Sequence, residues 1–364
     1  MPICHRLHFK ELCYTEFITQ GGFFDMQERV LFGTYTKKTS QGIYQGTLDT
    51  TAKTLTNDGL LAATQNPTYL ALSAKDRLYS VDKEDNDGGV AAWQLNGKTA
   101  NKLNAVIAPG TPPAYVAVDE ARQLVYSANY HKGTAEVLKI AADGALELVD
   151  QVQHSGSGPR PEQTESHIHY TDLTPDNRLA VVDLGADKVY VYNVSDAGKL
   201  SQQSVLTMEP GFGPRHLVFS PDGQFAFLAG ELSSQIASLR YNATDGSFEQ
   251  LGIVKTIPAD YTDHNGAAAI RMSHDGQFLY VSNRGYNSIA VFAVAADGSL
   301  TLIQQISTEG DFPRDFDLDP TEEFVVVVNQ NTDNATLYAR DITSGKLSLV
   351  QKDILVPEGV CVRF

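Results

Sequence analysis

Charged and polar residues recur in this chain at two fixed positions relative to a repeated turn. One position lies four residues before the apolar residue that precedes each turn, and the other lies where the following apolar run ends. Three arginines at these positions, Arg215, Arg284 and Arg314, would repel one another if they converged without a ligand. We therefore expect an anion, either a carboxylate or a phosphate, held by bidentate hydrogen bonds. The first position holds Thr68, Ala114, His169, Arg215, Ala268, Arg314 and Glu358. The second holds Asp82, Asn129, Tyr130, Asp183, Glu231, Asn283, Arg284, Asn329 and Gln330.

A histidine and a glutamate at these positions indicate acid–base chemistry. A neutral His169 beside the carboxylate of Glu231 resembles a general-base arrangement, in which one group takes a proton from water and the other orients it. A metal site is an alternative, because His167 and His169 share one strand face and Glu165 or Glu231 could be a further ligand. Since a dication would be repelled by the arginines, we expect neither a metal nor another cofactor. Purely structural roles also stay open, such as turn capping by aspartate and asparagine.

Six copies of one sequence pattern must position these side chains. In each copy a short apolar alternation leads to a turn, followed by a second apolar run with a polar end. The copies are 46, 55, 46, 53 and 46 residues apart, close to the roughly 40 to 50 residues of a β-propeller blade. The copy that starts at Gly213 divides into four strands, over Arg215–Ser220, Gln224–Ala229, Ile236–Asn242 and Leu251–Ile257.

The two chain ends together supply a seventh copy. Val30–Tyr35 resembles a second strand and Gly42–Leu48 a third, but no first strand precedes them. Pro357–Val362 has the spacing of Pro214–Phe219 and can supply the missing strand. Closure of this kind removes the raw edges of a row of sheets. The sequence therefore predicts an all-β fold over residues 26–364, a seven-bladed propeller of four-stranded antiparallel blades. Both sets of polar residues would then face one funnel.

Composition limits the partners and the location of the protein. The net charge of −16 opposes binding to nucleic acid or to anionic lipid, and no window approaches the roughly 20 apolar residues of a membrane span. Three cysteines are too few for a disulfide framework and favour the cytoplasm. Because charges interrupt its apolar runs, we interpret segment 1–25 as a non-globular tail or as the result of a start site assigned too early. A closed ring has no edge that needs a partner, so we expect a monomer or a weak homodimer.

Several motifs resemble those of the bacterial seven-bladed propeller lactonases of the 6-phosphogluconolactonase type, which are similar to fungal carboxy-cis,cis-muconate cyclases. The resemblance covers residues 28–364 and implies metal-independent hydrolysis of 6-phosphogluconolactone to 6-phosphogluconate, with no cofactor. Water activated by His169 or Glu231 would attack the ring carbonyl, while Arg215 and Arg284 would hold the phosphate or stabilise the oxyanion. The matching segments are Gly33–Thr36, Asn129–Tyr130, His169, Asp183–Gly185, Gly213–His216, Ser220–Gly223, Glu231 and Tyr280–Gly285.

The resemblance also implies a substrate site for a small anionic sugar lactone, with two departures from the family pattern. His131 stands where the family has glycine, and Ala269 stands where an acidic residue is expected. His131 adds bulk at the rim and bears on which lactone is the substrate. Two alternatives stay open: a lactonase or cycloisomerase of another carboxylated lactone, whose carboxylates the same arginines would bind, and a propeller that is only a binding platform, a common use of this architecture. The expected substrate-binding residues are Asn129, Tyr130, His216, Asn283, Arg314 and Gln330.

Overall fold

The computed structural model describes residues 27–364, which form 28 strands in seven four-stranded antiparallel sheets. This part of the chain contains no helix, and so none that could cross a membrane. The first fourteen strands are β1 Gln27–Thr34, β2 Gly42–Asp49, β3 Thr54–Ala63, β4 Leu70–Ser73, β5 Arg77–Glu84, β6 Asp87–Asn96, β7 Thr99–Pro109, β8 Tyr115–Asp119, β9 Leu124–Asn129, β10 Thr134–Ile140, β11 Leu146–Gln153, β12 Ile168–Leu173, β13 Leu179–Asp183 and β14 Lys188–Val194. The others are β15 Leu200–Thr207, β16 Pro214–Phe219, β17 Phe225–Gly230, β18 Gln235–Asn242, β19 Ser247–Lys255, β20 Gly266–Met272, β21 Phe278–Arg284, β22 Ser288–Val294, β23 Leu300–Ser307, β24 Pro313–Leu318, β25 Phe324–Asn329, β26 Asn334–Arg340, β27 Leu347–Leu355 and β28 Gly359–Arg363.

The six repeated turns of the sequence join the first and second strands of the six blades that the chain forms without a break. In the Ser-Pro-Asp-Gly turn between β16 and β17, Gly223 has a φ of 70°, which suits glycine. The Ser220 hydroxyl accepts a hydrogen bond from the Phe225 amide at 2.9 Å and donates one to Asp222 at 2.6 Å. These local bonds close the turn with its own polar side chains.

Closure of the ring follows the predicted scheme. The C-terminal strand β28 pairs with β1, with Phe32 opposite Val362, and completes the sheet β28-β1-β2-β3. The innermost strands of the seven blades contact one another in a continuous circle. The predicted seven-bladed propeller is therefore confirmed, whereas the proposed tail at residues 1–25 lies outside the described residues.

The first three strands of the Gly213 copy lie within one residue of the predicted bounds, whereas the fourth differs more. The fourth strand of the Gly213 copy is Ser247–Lys255, whereas Leu251–Ile257 was predicted. Ser247 pairs with Asn242 directly across the turn, so the strand begins as soon as the turn ends. The prediction missed this start because outer strands are half exposed, and the polar residues at the start of β19 lack an apolar alternation.

Candidate active site

Irregular strand pairing aims several side chains into the central channel. The pairing of β12 with β13 shifts between Ile168 and Tyr170, so His169 is an extra residue on the inner strand. The same irregularity occurs at Arg215 and His216 in β16 and at Arg314 in β24. Because a bulge redirects side chains out of the period-two alternation, these residues leave the packed faces between blades.

A second ring of side chains comes from the residue that follows the buried end of each second strand. In five of the seven blades its backbone amide donates to a carbonyl just before the first strand of the same blade, for example from Glu231 to Gly213 at 2.7 Å. The same bond joins Lys83 to Gln65 and Tyr35 to Glu358. These shared bonds show that the positions are structurally equivalent. Tyr130 and Arg284 hold the same place after Asn129 and Asn283. The ring consists of Tyr35, Lys83, Tyr130, Leu184, Glu231, Arg284 and Gln330.

Both rings meet around a cavity of about 580 Å³. The first set of positions, four residues before each turn anchor, contributes Thr68, Ala114, His169 and Arg314, and the second ring contributes five of its seven members. Within the described residues Glu231 is the only carboxylate in the lining, so positive charge is in excess. The cationic lining residues are Lys37, Lys83, Arg284 and Arg314.

Glu231 forms ion pairs with two arginines at the floor of the cavity. Its Oε1 lies 2.8 Å from Nη2 of Arg284, and its Oε2 lies 3.0 Å from Nε of Arg215. Burial alone would raise the pKa of the Glu231 carboxyl, but the charges of Arg284 and Arg215 outweigh it and lower that pKa. Glu231 is therefore ionised at neutral pH and tied to two cations.

Arg215 lies below the cavity rather than in its lining. The residue is 2% exposed, and its Nη1 lies 3.4 Å from Nδ1 of His216. Burial, and next the repulsion from Arg284, lowers the pKa of Arg215 to about 9. His216 is also buried, and its ring contacts those of Tyr115 and His169 at centroid distances of 5.2 and 5.1 Å. These two residues thus form a supporting layer under the lining.

His169 combines access to the cavity with an electrostatic environment that keeps it neutral. It is 4% exposed, and within residues 27–364 its Nδ1 has no hydrogen-bond partner. Burial, followed by the charge of Arg215, holds the pKa of His169 well below 6.5. The edge of the imidazole packs against Tyr130, with ring centroids 5.9 Å apart. An uncharged imidazole therefore lines a cationic cavity.

A family profile described as "Lactonase, 7-bladed beta-propeller" matches residues 29–364. The chain belongs to this lactonase family. A 6-phosphogluconolactonase of Bacillus subtilis is 43% identical over 338 residues, which are 91% of this chain and 97% of that protein. The solved structure of a Lactobacillus plantarum protein is 87% identical, with a TM-score of 0.93 and coverage of 93% and 99% of the two chains. The periplasmic gluconolactonase of Pseudomonas aeruginosa is 33% identical, with a TM-score of 0.87 and the same coverage. The chain is accordingly a hydrolase of the lactonase type.

Some residues that the sequence predicted to bind substrate hold the lactonase scaffold instead. Asn129 accepts hydrogen bonds from the amides of His131 and Lys132 and donates to the Thr111 carbonyl. Asn283 is fully buried and exchanges hydrogen bonds with Thr256. Because both amide side chains are occupied by the backbone and by buried neighbours, they do not reach the cavity. Neither they nor His216 nor Gln330 belong to its lining.

Glu358 and Ala269 likewise lie outside the lining. The Glu358 carboxylate accepts hydrogen bonds from the backbone amides of Lys37, Lys38 and Ser40, at 2.9, 2.9 and 3.2 Å. It leaves the expected column because its φ is 50°, outside the strand conformation. Ala269 is completely buried in an apolar cluster, whereas His131, the other departure, does line the cavity.

Among the lining residues of the lactonase that the sequence prediction missed are Tyr35, Lys37 and Lys83. Tyr35 and Lys83 can be explained by the repeat. Both occupy the second-ring position, one residue after Thr34 and Asp82. Applying the position of Tyr130 and Glu231 to the first two blades would have found them. The metal alternative also finds no site, because within residues 27–364 no three His, Cys, Asp or Glu side chains are grouped to hold an ion. His167 instead places its Nδ1 2.8 Å from the Tyr130 carbonyl.

Proposed function

We propose that the protein hydrolyses 6-phosphogluconolactone to 6-phosphogluconate without a metal ion. The observation that carries this proposal is a cavity in which a neutral histidine lies among cations that only one carboxylate balances. Such a cavity suits an anionic ester and the oxyanion that forms when water attacks it. The relative from Bacillus subtilis, which is described as a 6-phosphogluconolactonase, supports the choice of substrate.

His169 is the better candidate for the general base. Glu231 is ionised, but two ion pairs with arginine lower its affinity for a proton. His169 is neutral and free of such pairs, and the charges that disfavour its protonated form are offset when an anionic substrate binds beside them. A positioned base of this kind contributes about 10²- to 10⁴-fold to the rate.

The remaining steps need no covalent bond between the enzyme and the substrate. Water loses a proton to His169 as its oxygen bonds to the ring carbonyl carbon, and the carbonyl electron pair moves to oxygen, where Arg284 stabilises the charge. The ester bond to the ring oxygen then breaks, and that oxygen receives the proton back from the imidazolium. In this scheme Glu231 is a positioning residue that fixes the guanidinium of Arg284 at 2.8 Å.

An unphosphorylated aldonolactone is the second candidate substrate. The relative from Pseudomonas aeruginosa is described as a gluconolactonase, and the same base and oxyanion partner would serve that ring. We place the reaction in the cytoplasm, as a step of the pentose phosphate pathway. Cell fractionation with an antibody to the protein tests that location.

The experiment is a comparison of lactone loss at mildly acidic pH, where the spontaneous reaction is slow. The wild type is assayed with 6-phosphogluconolactone, with gluconolactone and with a muconolactone, beside His169→Gln and Arg284→Ala. We expect about 10²-fold or greater losses of kcat in both variants. Arg240→Ala is the control, because this exposed residue lies outside the cavity lining and pairs with exposed Glu249. Wild-type rates equal to buffer on all three lactones would refute the proposal.

A further inference from the structure

One side of the cavity carries cations that no carboxylate neutralises. Within residues 27–364, neither Lys37, Lys83 nor Arg314 takes part in an ion pair, although all three line the cavity. Arg284 and Arg215, in contrast, both bind Glu231. The anion expected from the sequence can therefore bind Lys37, Lys83 and Arg314, whereas the family resemblance implied Arg215 and Arg284.

Tyr35 lies between two of these cations. The Lys37 Nζ is 4.1 Å from the centre of its ring, and the Arg314 guanidinium carbon is 5.8 Å from it. The charge of Arg314 is the main reason why the pKa of the Tyr35 phenol is lowered, with Lys37 adding to it against the effect of burial. The lowered pKa indicates a positive electrostatic potential at the phenol, and the phenol hydroxyl can donate a hydrogen bond to an anion there.

The backbone that carries Tyr35 and Lys37 is held in place before any ligand binds. Glu358 binds the amides of residues 37, 38 and 40 through its carboxylate, and its carbonyl accepts from the Tyr35 amide at 3.0 Å. The Thr36 amide donates to Asn66 at 3.1 Å. The loop is therefore preorganised, which reduces the entropy that binding would otherwise cost.

We propose that Tyr35, Lys37, Lys83 and Arg314 form the seat of a phosphate group, so that the cavity selects phosphorylated aldonolactones over unphosphorylated ones. This inference rests on the proposed function and extends it to the substrate class. A phosphate monoester carries about −1.5 to −2 charges near pH 7 and has three acceptor oxygens, which match three cations and one phenol donor. The reacting groups, His169 and the Glu231–Arg284 pair, line the same cavity, and the charge of Arg314 also reaches His169 and Glu231.

The test compares kcat/KM for 6-phosphogluconolactone and gluconolactone in the same variants. Arg314→Gln should lower the value for the phosphorylated lactone by about 10- to 100-fold, the range of a charge-assisted hydrogen bond. Lys37→Met, at an exposed side chain, and Lys83→Met, which removes a point charge without a planar fork of donors, should each lower it by about 2- to 5-fold. In each variant the value for gluconolactone should fall less than the value for the phosphorylated lactone, so that the ratio of the two values decreases. Lys139→Met, on an exposed strand position away from the cavity, is the matched control.

The outcomes separate this inference from the function on which it rests. A wild type that hydrolyses no lactone refutes the function itself. A wild type that hydrolyses both lactones, with variants that weaken both equally, overturns the seat alone. If the wild type does not accept gluconolactone, competitive inhibition by inorganic phosphate replaces it as the readout. The inhibition constant must then rise at least tenfold in Arg314→Gln, and an unchanged constant overturns the seat.

Discussion

Both ends of the central channel contain buried or partly buried arginines, but only one end balances their charge. At the end opposite the cavity, Arg271 lies 2.9 Å from Asp315 and 3.0 Å from Asp317. Arg363 lies 3.1 Å from Asp315. We call these four residues the far-end cluster, and it pairs two cations with two anions. The cavity end has three arginines and two lysines for the single carboxylate of Glu231.

The same residue type therefore behaves differently at the two ends. Burial alone would lower the pKa of Arg271, but Asp315 and Asp317 more than offset it and raise that pKa. At the cavity end, burial and the repulsion from Arg284 lower the pKa of Arg215 to about 9. In the far-end cluster the carboxylates neutralise the arginines, whereas at the cavity end the excess positive charge favours the binding of an anionic ligand. Charge balance, rather than the presence of arginine, distinguishes the binding end.

Removal of residues 357–364 should have the largest effect on stability and activity, because it deletes residues at both ends of the central channel. It deletes β28, the Arg363 of the far-end cluster and the Glu358 that holds the loop of Tyr35 and Lys37. We expect the ring to open, with loss of the cooperative thermal transition and of all lactonase activity. Differential scanning calorimetry checks the first outcome. A truncated protein that melts like the wild type would contradict ring closure by the C-terminal strand.

Asp315→Asn tests the balanced end by itself. The substitution leaves Arg271 and Arg363 with one buried anion fewer, and a broken buried pair costs about 3 to 5 kcal/mol. Urea unfolding measures this loss, while kcat/KM of the folded protein should stay within about twofold of wild type. Arg314→Gln is the matched variant at the unbalanced end.

Arg314 forms no ion pair within the described residues, so its loss should change the free energy of unfolding by less than about 1 kcal/mol. Activity should fall nevertheless. Equal destabilisation by Asp315→Asn and Arg314→Gln would remove the distinction between the two ends.

Acidification should change the free energy of unfolding in opposite directions through the titrating groups at the two ends. Burial, followed by Arg215, keeps the pKa of His169 and His216 well below 6.5. Below pH 6.5 the unfolded chain therefore binds protons that the folded chain does not, and stability falls on acidification. Burial raises the pKa of Asp172, near the far end, from 3.8 to about 6. Between these values the folded chain binds the extra proton, so acidification stabilises it.

The measurement is the free energy of unfolding at about pH 4.5 and 5.5. His169→Gln or His216→Gln should flatten the pH dependence by about 1.4 kcal/mol per pH unit, the value of one proton. Asp172→Asn should steepen it by a similar amount. Lys139→Met, at an exposed strand position, is the control and should leave the slope unchanged, because it removes neither a carboxyl nor an imidazole group. The same direction of change in His169→Gln and Asp172→Asn would disprove the assignment.

The fold and part of the cavity could be predicted because both follow from the repeat. The repeat period and the copied strand at the C-terminus determine the ring, and the ring brings His169, Glu231, Arg284 and Arg314 to one cavity. The convergence of distant residues thus needed no knowledge of side-chain packing.

The depth and orientation of side chains could not be predicted in this way. Period two gives no sign of the bulges that put Arg215 and His216 below the lining. It also gives no sign of the left-handed backbone that turns Glu358 towards the loop amides. Tyr35 was missed for a different reason, since its blade is divided between the two chain ends.

The smallest effect expected is a shift in the titration of one tyrosine, and it tests the unbalanced end most directly. Ultraviolet difference spectra of wild type minus Tyr35→Phe isolate this phenol from the other 15 tyrosines of the chain. Because Arg314 and Lys37 favour the phenolate, the difference signal should titrate below the ordinary pKa of 10.0. Arg314→Gln should move it back towards that value, whereas Asp315→Asn should not. Inorganic phosphate should also raise the pKa, since a bound dianion offsets the cations and accepts the phenol proton in a hydrogen bond. A titration that ignores both phosphate and Arg314 would mean that the positive charge at this end is already compensated, and the contrast between the two ends would fail.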